Sequence, residues 1–190
     1  ITREIRTVHD LPLQSTKGET IVFGGPPCQG FSTSNQKTRN SNNPKNWLYL
    51  EFLRIVELVQ PSWVVFENVA GILQTDGGSF VERFRHRLND LGYSTSSALL
   101  NAADFGVLQK RLRFFMVGSR HRKPPDLDDL KKLGQTPTVK DAIGDLPVLR
   151  NGNAKDVMPY RTEPQSEYAA ALRNGQRDCT GNLVTANAES

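Results

Sequence analysis

An α/β fold, built on a doubly wound and mostly parallel sheet of which only part is present, is what the sequence predicts. Short apolar runs at Ile21-Val22-Phe23, Trp63-Val64-Val65-Phe66 and Phe114-Phe115-Met116-Val117 read as buried strands. Segments with helical spacing of apolar residues lie between them, and this alternation is the βαβ pattern of a parallel sheet. Only three or four strands can be found, too few for a complete doubly wound domain.

Each element has its own signal. The strand at 21–24 stops at Gly24-Gly25-Pro26-Pro27. Residues 29–45 are nearly all Gly, Ser, Thr, Asn, Gln, Lys and Arg, and a loop of that length is a lid, a binding loop or disorder. A helix is expected over 46–59, where Leu48, Phe52, Ile55, Val56 and Val59 wrap the cylinder around a polar stripe of Glu51, Arg54 and Glu57, and Pro61 ends it. The strand at 63–66 terminates in Glu67-Asn68. A second helix over 79–91 sets Phe80, Phe84, Leu88 and Leu91 on one face, with Gly92 as its C-terminal cap. Strands follow at 93–100 and 112–118. After Arg120 the composition changes: 121–135 is a connector rich in Pro, Asp and Lys, Thr138 caps a short helix, and another helix falls near 166–172. The expected division is therefore 1–120 and 121–190.

The chain has 190 residues and a net charge of +4, with 37% hydrophobic and 23% charged residues. That is enough for a real core and too ordered a composition for wholesale disorder. No apolar run approaches the roughly 20 residues of a membrane span. Two cysteines, Cys28 and Cys179, make neither a disulfide framework nor a zinc site. A soluble, intracellular chain is expected, with upstream residues missing before a start that lacks an initiator Met; the few strands and an end without a cap point to an internal segment. Lys110, Arg111, Arg113, Arg120, Arg122 and Lys123 crowd into one stretch, which suits phosphate or simply a solvated face.

In open α/β sheets, reactive residues gather at the carboxyl ends of strands. Cys28 lies between a rigid Pro-Pro turn and a polar loop, as an accessible nucleophile would, although a lone cysteine is more often a small buried thiol. Glu67 directly follows four apolar strand residues. Burial there calls for a partner, with Arg111 or Arg113 available, and lets a carboxylic acid act as proton donor. Alternation in Gln109-Lys110-Arg111-Leu112-Arg113 puts residues 109, 111 and 113 on one face of an extended segment, a pair of guanidiniums suited to an anion or a carbonyl.

Together, Gly25-Pro26-Pro27-Cys28-Gln29-Gly30-Phe31-Ser32, Glu67-Asn68-Val69 and Gln109-Lys110-Arg111-Leu112-Arg113 resemble the DNA cytosine-5 methyltransferase family in order and spacing, over residues 20 to about 150. The later Thr138-Val139-Lys140-Asp141-Ala142-Ile143 is similar to bacterial members. The resemblance implies a Rossmann-like methyltransferase fold, S-adenosyl-L-methionine as cofactor and double-stranded DNA as partner. It implies Cys28 as nucleophile at cytosine C6, Glu67 at N3 and the exocyclic amine, Arg113 at the base carbonyl, and Arg111 bracing Glu67 or a phosphate. Gln29, Ser32, Asn68 and Gln109 would touch substrate, and Pro27 and Leu48 would line the cofactor pocket. Loop 29–45 would close over a base flipped out of the duplex. No metal is implied. The place implied is a restriction-modification system in a bacterial cytoplasm, associated with the nucleoid, or a nucleus in a eukaryote.

The family's glycine-rich first motif and the acidic residue for the cofactor ribose are absent, and its last motifs and target recognition domain would lie past Ser190. Residues 121–190 would lead toward that domain. The chain by itself is therefore expected not to methylate DNA, its missing parts being elsewhere on its own polypeptide or on a complementing one. Lys45 stands where the family more often has arginine. An RNA methyltransferase acting on transfer RNA and a truncated nucleic-acid-binding relative remain as alternatives. A thiol-dependent hydrolase would need a histidine base, and His9, His86 and His121 are poorly placed for one.

Overall fold

The computed structural model describes residues 4–9, 18–27, 48–134, 137–152, 158–173, 176–177 and 183–184. Two compact units divide the chain: residues 1–101 with 111–131, and residues 102–110 with 132–190.

The first unit carries β1 (Ile21–Gly24), α1 (Leu48–Val59), β2 (Trp63–Val69), α2 (Ser79–Asp90), β3 (Ser94–Asn101) and β4 (Leu112–Ser119). Their sheet has the order β1-β2-β4-β3. β1 and β2 are parallel, while β4 is antiparallel to both β2 and β3. Three of the four strands run one way, but β4 is inserted between β2 and β3 against them, so only the β1–β2 pair is parallel and the described sheet is mixed where the sequence predicts a mostly parallel one. Residues 102–111 join β3 to β4, fewer than the dozen or so a parallel crossover takes, so an antiparallel return is the accessible pairing.

β2 is longer than the apolar run suggests. β4 pairs with it from Trp63↔Ser119 to Val69↔Arg113, which draws Glu67 and Asn68 into the strand instead of leaving them just past its end. α1 ends where Gln60 takes a positive φ of 46° ahead of Pro61, and α2 ends before Gly92, whose φ is 87°. A 3-10 segment over Ala70–Gly78, with no periodicity to announce it, leads into α2 and buries Ile72 completely.

Alternation along β2 and β4 sorts the first unit into two faces. Val64, Phe66, Phe114 and Met116 point to the helices, where they meet Phe52, Leu53 and Val56 of α1 and Phe80, Val81, Phe84 and Leu88 of α2. Phe66 touches both helices, its ring 5.6 Å from Phe52 and 4.3 Å from Phe84, so α1 and α2 share one face of the sheet. Burying each such side chain contributes about 1.5–3 kcal/mol. Val22 joins this core from β1, while Ile21 and Phe23, turned the other way, are 63% and 68% exposed.

The second unit contains α3 (Val139–Ile143), α4 (Glu167–Arg173) and a short hairpin of β5 (Gln176–Arg177) with β6 (Leu183–Val184). Thr138 caps α3 as the sequence predicts, in a reciprocal box: the Asp141 N–H donates to the Thr138 hydroxyl, and the Thr138 N–H donates to the Asp141 carboxylate at 2.7 Å. The Thr138 side-chain and backbone hydrogen bonds hold the Asp141 carboxyl below its ordinary pKa. Behind α3, buried Asp145 pairs with Arg173 of α4 at 2.8 Å, and Arg173 also donates to the Ala142 carbonyl and stacks over Tyr160.

Candidate active site

Because β1 and β2 are parallel, their carboxyl ends lie side by side. Gly24 pairs with Phe66, so Gly25 and Pro26 pass next to Glu67 and Asn68. The two glycines clear space on opposite faces. A Cβ on Gly24 would lie 2.7 Å from the Phe52 ring on the helix side, and one on Gly25 would lie 2.7 Å from Glu67 Oε2.

Glu67 projects from the face opposite the core. Its Oε1 accepts from Arg113 Nε at 2.9 Å, and the two side chains are 27% and 22% exposed. Arg113 stands across from Val69, two residues beyond Glu67 on the same face, so the ion pair is a diagonal cross-strand contact. Arg113 also donates through Nη1 to the Leu112 carbonyl at 2.8 Å. A carboxyl oxygen held by a guanidinium, with the other oxygen beside a glycine that has no side chain, can meet the donor and acceptor edge of a planar base.

Asn68 faces the other way. It is 5% exposed; its Nδ2 donates to the Pro26 carbonyl at 3.0 Å, and its Oδ1 accepts from the Val69 N–H at 2.9 Å.

The expectation of one extended face through 109, 111 and 113 needs correcting. β4 begins only at Leu112, Gln109 sits in an exposed bend of the second unit closed by its N–H on the Val107 carbonyl, and Arg113 alone of the three is in the strand. Arg111 is exposed; its N–H donates to Asn101 Oδ1, and its side chain has no partner among the described residues. The guanidinium that braces Glu67 is therefore that of Arg113. Pro27 is exposed and Leu48 is half-buried at the start of α1. Cys28 and the whole of loop 29–45, with Gln29 and Ser32, lie outside the described residues.

The basic stretch is not one patch. Arg113 is at one end of β4, whereas Arg120 and Arg122 follow its other end, about 25 Å away at 3.4 Å per residue. There Arg122 pairs with Glu19 and stacks on Trp63, and Arg120 stacks on Tyr93. Sequence reasoning missed Gly25, whose signal was the unusual Gly-Gly ahead of Pro-Pro. Among the described residues, no cluster of His, Cys, Asp or Glu could hold a metal, and no helix is long and apolar enough to cross a membrane.

The family model for C-5 cytosine-specific DNA methylase matches residues 2–182. Type II methyltransferase M.DdeI of Desulfomicrobium norvegicum is 34% identical over 194 residues, covering 97% of this chain and 46% of the relative. Type II methyltransferase M1.HphI of Haemophilus parahaemolyticus is 40% identical over 160 residues, covering 82% and 43%. A crystal structure described as a DNA modification methyltransferase encoded within an E. coli prophage superposes with a TM-score of 0.55 at 30% identity, over 68% of this chain and 36% of that one. The chain spans about half the length of the curated relatives it matches.

Proposed function

The chain belongs to the C-5 cytosine-specific DNA methylase family, and from that premise we propose that it is the catalytic middle of a DNA (cytosine-5-)-methyltransferase of a restriction-modification system. The observation that carries the reading is the Glu67–Arg113 pair, held on the open face of the sheet beside the Gly25-Pro26-Pro27 turn that leads to Cys28.

Cytosine C5 is too electron-poor to take a methyl group directly. The Cys28 thiolate adds to C6, forming the S–C6 bond, while Glu67 as an acid gives a proton to N3 and takes up the negative charge that develops there. C5 then has the electron density of an enamine carbon. Arg113 keeps Glu67 oriented and presents its remaining N–H groups to the base carbonyl, and Arg111, exposed and free to move, meets a backbone phosphate. Once C5 carries the methyl group, loss of the C5 proton expels the Cys28 thiolate, the N3 proton returns to Glu67 and the aromatic ring is restored. The base must leave the stacked duplex for any of this to occur, with Gln29, Ser32 and Gln109 as DNA contacts.

S-adenosyl-L-methionine supplies the methyl group in this chemistry. Its ribose and amino-acid ends need polar partners, and Pro27 and Leu48, the matching positions here, offer only apolar surface; this chain holds one wall of that site. The rest comes from a further part of its own polypeptide or a complementing one, and residues 121–190 lead toward the base-reading domain. A bacterial cytoplasm is the corresponding location.

Covalent trapping tests the reading. The chain, alone and extended at both ends to the relatives' length, is mixed with S-adenosyl-L-methionine and duplex DNA or RNA containing 5-fluorocytosine, whose fluorine cannot leave as a proton does. The expected result is a DNA adduct in the extended version that Cys28→Ser abolishes. An adduct with RNA only moves the substrate to transfer RNA, and no adduct despite cofactor binding reduces the chain to a non-catalytic relative.

A further inference from the structure

We infer that Asn68 is a positioning residue that ties the turn leading to Cys28 to the strand bearing Glu67, and that it makes no contact with the base. The inference rests on the function proposed above and revises the substrate role that the resemblance gives to Asn68. Three observations carry it. Alternation along β2 turns Asn68 to the helix side, with Phe66, and away from the face where Glu67 meets Arg113. The residue is 5% exposed and its amide is bonded to backbone at both ends, Nδ2 donating to the Pro26 carbonyl and Oδ1 accepting from the Val69 N–H. The backbone it grips is that of Pro26, in a Pro26-Pro27 pair whose residues have no N–H to donate to β2, and the Asn68 amide supplies a donor to that backbone from the β2 side.

The nearest replacements each lose part of this. Alanine lacks both groups, an aspartate has no N–H for Pro26, and glutamine adds a methylene in a packed site. Gly25 completes the arrangement: with the turn held close by Asn68, any Cβ at residue 25 would enter the space of Glu67 Oε2. By gripping Pro26, the brace therefore holds Gly25, three residues before Cys28, at its spacing from the Glu67 carboxylate.

The test uses the extended chain and fluorocytosine-substituted duplex DNA of mixed sequence. Asn68→Ala and Asn68→Asp are compared with the unsubstituted protein for DNA dissociation constant, rate of adduct formation from the bound complex, and melting temperature. A lost brace lowers the adduct rate per folded molecule on the order of ten- to a hundredfold, the size expected when reacting groups are misplaced by about 1 Å, and leaves DNA affinity within about twofold. Weaker DNA binding with an unchanged rate would overturn the inference in favour of a substrate contact. An unchanged rate and affinity, or a rate loss that follows the unfolded fraction alone, would also overturn it. An independent readout is the Asn68 side-chain amide in nuclear magnetic resonance: slow proton exchange and scalar coupling to the Pro26 carbonyl carbon are expected, and exchange as fast as that of an exposed asparagine would refute the brace. If the unsubstituted protein forms no adduct, the proposed function fails, and the amide readout still decides whether the brace exists.

Discussion

The two faces of the first unit's sheet use the same strands for opposite ends. On the helix side, Phe66, Phe84, Leu88 and Met116 are fully or almost fully buried, and edge-on and tilted ring contacts join β2 to both helices. On the other side of the sheet, Glu67 next to Phe66 and Arg113 next to Phe114 lie about a quarter exposed, and Ile21 and Phe23 of β1 are largely open. A period of two therefore separates the groups that hold the fold from those that carry its chemistry. Residue 67 can be altered without opening the core, and residue 66 cannot. Asn68 departs from this division: it has the core's parity and acts on the site through the backbone.

Substitutions should separate the faces in order of cost. Phe66→Ala removes the ring that bridges α1 and α2 and should cost about 3–5 kcal/mol in urea unfolding, with activity lost only as the fold is lost. Arg113→Ala should change stability by no more than about 1 kcal/mol, because the pair is only partly buried, yet reduce fluorocytosine trapping by about a hundredfold or more as Glu67 loses its orientation. Gly25→Ala places a methyl group against Glu67 Oε2; the carboxylate can swing aside, so a stability loss near 1 kcal/mol should accompany a larger fall in trapping. On the helix side, Tyr93 donates its buried hydroxyl to the Pro61 carbonyl, and Tyr93→Phe should cost about 1–2 kcal/mol. Burial raises the Tyr93 pKa above its ordinary value against the opposing pull of Arg120. Its contribution is therefore complete below the unfolded-state pKa and is lost as pH rises through the folded one, so an alkaline titration should show this phenolate appearing late and stability falling with it. Smallest of all, Phe23→Ser on the open face should shift stability by about 0.5 kcal/mol or less, which a calorimetric comparison with Phe66→Ala would check.

Apolar runs and helical spacing located the sheet strands and helices to within a few residues, because burial on one or both faces leaves a direct record in residue type. The Thr138 cap was equally legible, being a local pattern of side chain and backbone. The direction of β4 was not, since Phe114-Phe115-Met116-Val117 is equally apolar in either orientation and only the short link from β3 decides it. The end of β2 was also hidden: Glu67 and Asn68 look like a loop, and it is pairing with β4 that makes them strand. Candidate site residues could be named from the motifs, but two guanidiniums were open to Glu67 until the β2–β4 register placed Arg113 diagonally across from it. The orientation of Asn68 follows from that same strand extension.

The most direct test of this separation is Glu67→Gln in the extended chain, with adduct yield at Cys28 mapped by mass spectrometry and unfolding followed on the same preparation. The adduct is expected to fall by about a hundredfold or more while the melting temperature stays where it was. An adduct formed at the original rate, or one lost only in step with unfolding, would contradict it.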